Sequence, residues 1–313
     1  MFNQPSPLQL IQYELLVKHG IRLFIKRDDL IHPQVSGNKW RKLKYNLQTA
    51  QEQQQTRLLT FGGAYSNHIA ATAAAGKMFG FETFGVIRGE LIKPLNPTLF
   101  LAQQQGMRLI SVDRQAYRAE KAELAARLQL ELGECYVIPE GGSNALAVKG
   151  CAEIVTEVRE QLDGKLPDYF CVSCGTGGTA AGLVTGLGGM SVLKVFPALK
   201  GDFIKDEINR LIWESVGKKY DNWQFNQAMN NFGGYTKWNH QLINFINDFY
   251  EKFRIPIDPI YTGKLFYGVW NEIKKGRFQN GSTIVVIHTG GLQGIAGFNQ
   301  RFGELLRLNN VET

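Results

Sequence analysis

One lysine of this chain stands where its amine can react with a ligand. Lys39 follows a polar loop, and Trp40, Leu43 and Leu47 then recur at helical spacing, so a helix is predicted to begin at residue 38 or 39. A lysine amine in a partly dry site loses basicity and becomes nucleophilic, as Schiff-base chemistry with an aldehyde requires. Since the chain has 35 Lys and Arg residues, an ordinary solvated lysine is the alternative, and this segment alone does not decide.

A glycine-rich turn, Cys-Gly-Thr-Gly-Gly-Thr at residues 174–179, joins a predicted strand to a predicted helix. The backbone N–H groups of such a turn approach an anion without obstruction, and the helix N-terminus adds a favourable dipole. The pattern is neither a P-loop nor GxGxxG, and a tight turn without a ligand is the alternative. The threonine hydroxyls add donors, so the pattern favours phosphate binding. The residues concerned are Gly175, Thr176, Gly177, Gly178 and Thr179.

A second polar turn, Gly-Gly-Ala-Tyr-Ser-Asn-His at residues 62–68, also lies between a predicted strand and a predicted helix. Ser66 or Asn67 would serve well as a helix N-cap, which is the structural interpretation. The functional interpretation is that N–H groups of this turn receive a carboxylate while Ser66 and Asn67 contact the reacting group. A histidine at a helix start, here His68, is more often structural than catalytic.

Two further turns carry polar side chains. Residues 258–264, Asp-Pro-Ile-Tyr-Thr-Gly-Lys, are expected to run from the end of a strand into a helix. Tyr261 would then lie at the carboxyl end of a strand, where α/β sheets bind their ligands. Residues 288–291, His-Thr-Gly-Gly, end the last predicted strand with another turn that tolerates an anion.

The composition is that of an ordinary globular enzyme, with 44% apolar and 20% charged residues among 313. The net charge of +7 comes from scattered basic residues, which argues against a nucleic-acid partner and for attraction of anionic small molecules. Cys171 and Cys174 have metal-like spacing, but nothing completes a site, so no metal is predicted. No signal-peptide pattern or membrane-length apolar run is present, so the cytoplasm is the expected location.

Strand-like apolar runs alternate with helical patterns through most of the chain. This order is typical of βαβ units and predicts an α/β fold whose sheets are mainly parallel and covered by helices. Residues 221–238 are rich in Asn, Gly and aromatic residues and are predicted to be irregular. Because no low-complexity linker divides the chain, the domains are expected to be interleaved.

Three motifs, taken in order, make the chain similar to a known family. They are residues 37–42 (Gly-Asn-Lys-x-Arg-Lys), 66–68 (Ser-Asn-His) and 258–264 (Asp-Pro-x-Tyr-x-Gly-Lys). The chain resembles the fold-type II pyridoxal-phosphate enzymes, and within them the group of D-cysteine desulfhydrase and 1-aminocyclopropane-1-carboxylate (ACC) deaminase. The resemblance runs from residue 24 to residue 291.

The resemblance implies an architecture of the tryptophan synthase β-subunit type, with two domains and mainly parallel sheets. Residues 1–42 and 156–313 would form the large domain, which binds pyridoxal 5'-phosphate. Residues 43–155 would form a small inserted α/β domain, with the cofactor in the cleft between the two. A homodimer and a small amino-acid substrate are implied as well, with no membrane or nucleic-acid partner.

The resemblance also implies roles for individual side chains. Lys39 would hold the cofactor as a Schiff base and move the proton at the substrate α-carbon. Ser66 would face the substrate, and Asn67 would hydrogen-bond the phenolic oxygen of the cofactor. Tyr235 and Tyr261 match the two active-site tyrosines of the group.

The resemblance further implies that the phosphate of the cofactor would lie on residues 175–179, with Lys42 close enough to assist.

Two threonines favour one of the two reactions of the group. ACC deaminases resemble Tyr-Glu-Gly-Lys and His-Leu-Gly-Gly where this chain has Thr262 and Thr289, as the desulfhydrases do. A carboxylate would keep the pyridine nitrogen protonated, whereas a threonine only hydrogen-bonds it.

The shallower electron sink suits β-elimination of a good leaving group such as thiolate. We therefore expect D-cysteine to be converted to pyruvate, sulfide and ammonia, with ACC deaminase activity as the alternative. Tyr65 stands where relatives usually have glutamine, and residues 182–199 look shortened, so the identity of the amino acid stays open. Outside the family, a nucleotide-binding oxidoreductase and a binding protein without turnover are the rivals; the absence of GxGxxG weighs against the first.

Overall fold

The computed structural model describes residues 1–118, 121–198, 201, 203–226, 232, 234 and 236–307. The strands are β1 (Leu8–Ile11), β2 (Arg22–Lys26), β3 (Arg57–Gly62), β4 (Glu82–Arg88), β5 (Arg108–Val112), β6 (Tyr136–Ile138), β7 (Tyr169–Cys174), β8 (Val192–Pro197), β9 (Trp223–Phe225) and β10 (Thr283–Ile287). The α-helices are α1 (Glu14–Lys18), α2 (Asn38–Glu52), α3 (Asn67–Phe79), α4 (Pro97–Gln104), α5 (Arg114–Arg118), α6 (Lys121–Leu132), α7 (Ala145–Gln161), α8 (Gly178–Leu187), α9 (Phe203–Val216), α10 (His240–Phe253), α11 (Thr262–Lys274) and α12 (Gly294–Phe302).

The strands form two sheets. The first has the order β1-β2-β10-β7-β8-β9 and is parallel except for the antiparallel pair of β1 and β2. The second has the order β5-β4-β3-β6 and is parallel throughout. The prediction of an α/β fold with two domains and mainly parallel sheets is confirmed.

The central strand β10 shows why the first sheet needs helices on both faces. Its side chains Ile284 and Val286 pack into one apolar core, and Val285 and Ile287 pack into another. Successive side chains of a strand point to opposite faces, so a continuous apolar run is stable only when both faces are covered.

The strands of the second sheet come from residues 57–138, and those of the first come from residues 8–26 and 169–287. The second sheet is thus an insertion in the chain of the first. The predicted domain boundaries at residues 43 and 155 stay a prediction. Among the described residues, no helix is long and apolar enough to cross a membrane.

One predicted element is wrong. Residues 254–261 contain no strand, so Tyr261 follows a loop between α10 and α11 and not the end of a strand. Ile255 and Ile257 are buried in the core, so this segment packs its apolar side chains without belonging to a sheet. Within the segment predicted to be irregular, residues 223–225 form β9.

The helix that carries Lys39 is held by a buried ionic cluster. Arg41 on α2 is fully buried and donates to both carboxylate oxygens of Asp28 at 2.7 Å. Its other contacts are the carboxylate oxygens of Glu157 on α7 at 2.9 Å, and Lys26 at the end of β2 lies 2.7 Å from the same carboxylate. Burial raises the pKa of Glu157, but hydrogen bonds from Arg41 and Lys26 outweigh this effect and leave it lowered.

Candidate active site

A cavity of about 630 Å³ is lined by residues that follow strands of both sheets. Parallel strands bring their carboxyl ends to one edge of a sheet, and the turns after β3, β7 and β10 meet here. The predicted site residues that line the cavity are Lys39, Lys42, Ser66, Asn67, Gly175, Thr176, Gly177, Thr179, Tyr261 and Thr289.

Two of the predicted site residues that the structure describes are absent from this lining. Gly178 lies behind the turn, where a Cβ would meet Ser143 Oγ at 2.7 Å and Lys42 Nζ at 3.1 Å. Thr262 is fully buried behind the wall of the cavity. Tyr235 lies outside the described residues.

Lys39 lies in the first turn of α2, and this turn packs against the end of β10. The Asn38 N–H donates to the Thr289 carbonyl oxygen at 3.3 Å. Gly37 has φ +64°, and a Cβ at this position would come within 2.0 Å of the same carbonyl oxygen. Only glycine allows both the backbone conformation and the close approach, so Gly37 fixes where Lys39 stands.

The Lys39 amine is prepared for reaction with a carbonyl group. Burial, together with the positive charge of Lys42, holds the pKa of Lys39 well below its usual value. No hydrogen-bond partner of Lys39 Nζ occurs among the residues that the structure describes. A larger fraction of this amine is therefore uncharged and nucleophilic near neutral pH than for a solvated lysine.

Lys42, one turn further along α2, is held against the glycine-rich turn. Its Nζ donates to the Gly141 carbonyl oxygen and to Ser143 Oγ, both at 3.0 Å, and to Thr176 Oγ1 at 3.3 Å. The turn passes directly into α8, whose N-cap is Gly177. Backbone N–H groups, a helix N-terminus and a lysine at one point form a site suited to a phosphate group.

The turn before α3 serves as both a cap and a cavity wall. Ser66 is the N-cap, and its Oγ accepts from the Ile69 N–H at 3.3 Å, as the structural interpretation predicted. Asn67 Oδ1 accepts from Gln293 Nε2 at 2.8 Å, so the segment after β10 orients this amide. Both residues line the cavity, and the two interpretations of this turn are therefore compatible.

His68 is buried beside the same turn with a defined tautomer. Thr60 Oγ1 donates to the Ile138 carbonyl oxygen at 2.9 Å, so this hydroxyl accepts from His68 Nε2 at 2.7 Å. Burial, with the charges of Lys39 and Lys42, holds the pKa of His68 well below its usual value. Its Nδ1 is an acceptor that has no partner among the described residues.

Asp258, and not the end of a strand, positions the residues that precede and begin α11. Its carboxylate accepts from the N–H groups of Ile260, Tyr261 and Thr262 at 2.7–2.9 Å and from the Thr262 hydroxyl at 2.7 Å. This cap fixes Tyr261 at the cavity, with its ring 3.1 Å from a Cβ placed on Gly175. The Thr262 hydroxyl therefore donates to Asp258, and it does not point at the cavity.

Thr289 is the threonine that remains at the wall. It follows β10, and its Oγ1 lies 3.4 Å from Ser173 Oγ on the neighbouring strand β7. Both hydroxyls line the cavity. Of the two threonines whose identity favoured the desulfhydrase reaction, the structure thus brings Thr289 to the cavity surface and leaves Thr262 behind it.

Several residues that line the cavity were not predicted from the sequence as site residues. Asn38, beside Lys39, donates from Nδ2 to Thr179 Oγ1 at 2.8 Å, and its place in the lysine motif was the available signal. Ser173 could have been found as the last polar residue before the glycine-rich turn. No local signal marks the four cavity arginines, which are Arg88, Arg114, Arg118 and Arg301.

The residues of the cavity fit pyridoxal phosphate on two counts. The amine of Lys39 has a lowered pKa, as attachment of an aldehyde requires. The close approach of the glycine-rich turn to Lys42 gathers donors that suit the phosphate, and a side chain at Gly178 would collide with Ser143 and Lys42 and disturb this arrangement. Asn67 and Thr289 add polar groups between these two points.

Comparison with known proteins agrees with this fit. A family model described as pyridoxal-phosphate dependent enzyme matches residues 2–290. A Thermotoga maritima protein, provisionally named ACC deaminase, is 31% identical over 95% of this chain and 97% of its own length. The bifunctional D-cysteine desulfhydrase/ACC deaminase of Arabidopsis thaliana mitochondria is 31% identical over 88% of this chain and 74% of its own length.

Solved structures point to the same group. One described as an ACC deaminase homologue has a TM-score of 0.84 and 29% identity, covering 97% of this chain and 95% of the other. Threonine deaminase isoform 2 of Solanum lycopersicum, at 18% identity and a TM-score of 0.65 over 91% of this chain and 79% of its own, shares the fold. These findings replace the rival interpretation as a nucleotide-binding oxidoreductase. The chain belongs to the pyridoxal-phosphate-dependent enzymes of fold type II, in the group of ACC deaminase and D-cysteine desulfhydrase.

Proposed function

We propose that this enzyme eliminates the β-substituent of D-cysteine, so that D-cysteine and water yield pyruvate, hydrogen sulfide and ammonia. The observation that carries the proposal is the hydroxyl of Thr289 at the cavity wall, together with the state of the lining carboxylates. The carboxylates of the described lining are Glu140, paired with Lys121 at 2.7 Å, and Asp258, engaged in its cap. Neither is left to protonate a pyridine nitrogen, which favours departure of a good leaving group.

Each residue has a defined task in this reaction. When bound, pyridoxal phosphate supplies the electron sink for the α-carbon. The amine of Lys39 removes the α-proton, a role for which its lowered pKa suits it. N–H groups at the turn of Ser66 and Asn67 receive the substrate carboxylate. Tyr261 hydrogen-bonds the departing sulfur.

ACC deaminase activity is the second candidate, with 2-oxobutanoate and ammonia as products. It is favoured by the names of the relatives, one of which combines both activities in one protein. At 31% identity these names support the class of reaction, and the substrate depends on the wall around Thr289.

A substrate panel tests the proposal. The enzyme with its cofactor is given D-cysteine, L-cysteine or ACC, and sulfide and 2-oxo acid are measured. We expect pyruvate and sulfide in equal amounts from D-cysteine, with kcat/KM at least about tenfold above that for either other compound, equivalent to about 1.4 kcal/mol in the transition state. Faster release of 2-oxobutanoate from ACC would contradict the proposal and support the second candidate.

Thr176→Val tests the phosphate site. This change removes a hydroxyl that accepts from Lys42 and exchanges a hydrogen bond with Ser143 at 2.7 Å. A hydrogen bond to a charged group is worth about 1.5–3 kcal/mol, so the affinity for pyridoxal phosphate is expected to fall by about tenfold or more. The measurement is a titration of the apo-protein followed by visible absorbance.

Thr185→Val is the matched control, on helix α8 that follows the turn of Thr176. The Thr185 hydroxyl donates to the Gly182 carbonyl oxygen at 2.9 Å, and Thr185 is absent from the cavity lining. Cofactor affinity should be unaltered in this variant. Equal losses in both variants would place the phosphate elsewhere.

Assembly as a homodimer and a cytoplasmic location stay predictions. Sedimentation of the purified protein tests the first of them.

A further inference from the structure

Four arginines line the cavity in addition to the two lysines of α2. Arg88 ends β4, Arg114 and Arg118 belong to α5, and Arg301 belongs to α12. All four side chains are exposed to solvent at the cavity. None of them forms a salt bridge with a carboxylate of the described residues.

Two of these arginines are placed near the start of the turn that contains Ser66. Arg88 Nη2 lies 3.5 Å from the place of a Cβ on Gly63, the second residue of that turn. Arg114 Nε lies 3.2 Å from the place of a Cβ on Gly89, the residue that follows Arg88. The Arg88 guanidinium also lies over the ring of Tyr117, at 5.8 Å from its centre.

Arg301 lines the cavity from α12, and this helix packs near the same turn. A Cβ placed on Gly297, one helical turn before Arg301, would lie 3.0 Å from the ring of Tyr65, which precedes Ser66. Residues 63–66 are therefore flanked by Arg88 on one side and by α12 on the other. A group that extends from a substrate bound at this turn toward Gly63 would meet the Arg88 guanidinium, and Arg301 lines the same cavity.

The positive charge exceeds what the proposed reaction needs. The cofactor phosphate has the 175–179 turn and Lys42, and the substrate carboxylate has the N–H groups before α3. The carboxylates of the described lining do not offset the arginines, since Glu140 pairs with Lys121 and Asp258 caps α11. Unpaired guanidinium groups at a cleft attract anions and bind phosphate or sulfonate oxygens through paired N–H donors.

We propose that the enzyme also takes amino acids whose β-substituent is an oxyanion, a phosphate ester or a sulfonate, and that Arg88 with its neighbours binds this group. The inference rests on the β-elimination proposed above and extends it to a second substrate class. The Cβ–O or Cβ–S bond breaks with both electrons leaving on the substituent. With one water, the amino acid yields pyruvate, ammonium and hydrogen phosphate or hydrogen sulfite, so atoms and charge balance.

The first test uses the unmodified enzyme with its cofactor. Both enantiomers of O-phosphoserine, cysteic acid and cysteine are compared, and pyruvate, phosphate and sulfite are measured. We expect kcat/KM for at least one of the oxyanion substrates to equal or exceed that for cysteine. Raising the ionic strength from about 0.02 to 0.3 M should lower kcat/KM for that substrate by about threefold more than for cysteine, because salt screens exposed charges.

The second test removes the arginines. Arg88→Gln combined with Arg301→Gln is expected to lower kcat/KM for the oxyanion substrate about tenfold more than for cysteine, with most of the loss in KM. Arg108→Gln is the matched control, since Arg108 is an exposed arginine of β5 that pairs with Glu82 and is not part of the cavity lining. This control should leave the ratio between the two substrates unchanged.

The outcomes separate this inference from the proposed function. Turnover of cysteine alone, with no reaction of either oxyanion compound, overturns the inference and leaves the proposed function standing. Turnover of an oxyanion compound with the expected salt and arginine dependence supports the inference even when D-cysteine is inert, and the proposed substrate then falls. Equal losses for both substrates in the double variant also overturn the inference.

Discussion

Lys39→Ala is expected to lower kcat for every amino-acid substrate by about 10³-fold or more, because in the proposed reaction this side chain both holds the cofactor and moves the α-proton. The structure supports the assignment of both roles to Lys39. The amine lies at the cavity with a lowered pKa, and no other described lysine of the lining has an amine without hydrogen-bond partners, since Lys42 donates to three acceptors. The measurement is steady-state release of 2-oxo acid with excess pyridoxal phosphate.

Lys44→Ala is the control on the same helix. Lys44 forms a partly exposed ion pair with Glu153 at 2.8 Å and does not line the cavity. It should retain nearly full activity, whereas Lys39→Ala should still bind the cofactor, more weakly, through Lys42 and the glycine-rich turn. Turnover by Lys39→Ala within about tenfold of the unmodified enzyme would contradict the assignment of both roles to Lys39.

Arg41→Met is expected to lower the free energy of unfolding by about 3–5 kcal/mol, the range for breaking a buried ion pair from one side. The substitution leaves the fully buried carboxylate of Asp28 with the Ser6 hydroxyl, at 2.7 Å, as its one remaining side-chain hydrogen-bond donor among the described residues. It also removes two hydrogen bonds to Glu157 and so loosens α2 from α7. The measurement is urea denaturation of the apo-protein, since a bound cofactor would add its own stabilisation.

Glu153→Gln provides the comparison between the same two helices. It breaks the partly exposed pair of Lys44 and Glu153, and exposed pairs contribute about 0–1 kcal/mol. A loss below about 1 kcal/mol for Arg41→Met, similar to that of Glu153→Gln, would show that the buried cluster does not hold α2. Because Lys39 lies two residues before Arg41, the account also predicts weaker cofactor binding in Arg41→Met.

Much of the fold could be predicted because, in a parallel α/β fold, short apolar strands alternate along the chain with helices of regular apolar spacing. Helix α7 follows the N-capping Asn144, and buried strands such as β7 are short apolar runs, so both kinds of element have a local pattern. The strand expected before Asp258 was wrong for a physical reason. Pro256 has no N–H for a sheet ladder, and its carbonyl oxygen accepts from His288 Nε2 at 2.7 Å, so residues 255–257 do not pair in a sheet.

The site was predictable where its residues adjoin in sequence. Lys39, the Ser66 turn and the 175–179 turn each form a local motif, and each reaches the cavity. Thr262 differs, because its hydroxyl donates to the side chain of Asp258, a contact that the motif does not reveal. The four arginines come from three separate elements, and only the packing of the two sheets and α12 brings them to one cavity.

Reduction of the yellow enzyme with borohydride, followed by digestion and mass spectrometry, tests the central claim most directly. Borohydride fixes pyridoxal phosphate permanently to the amine that holds it. We predict a single modified peptide, with the phosphopyridoxyl group on Lys39, and a loss of D-cysteine turnover in proportion to the modification. Modification of Lys42 instead, or turnover that survives complete modification of Lys39, would contradict the account.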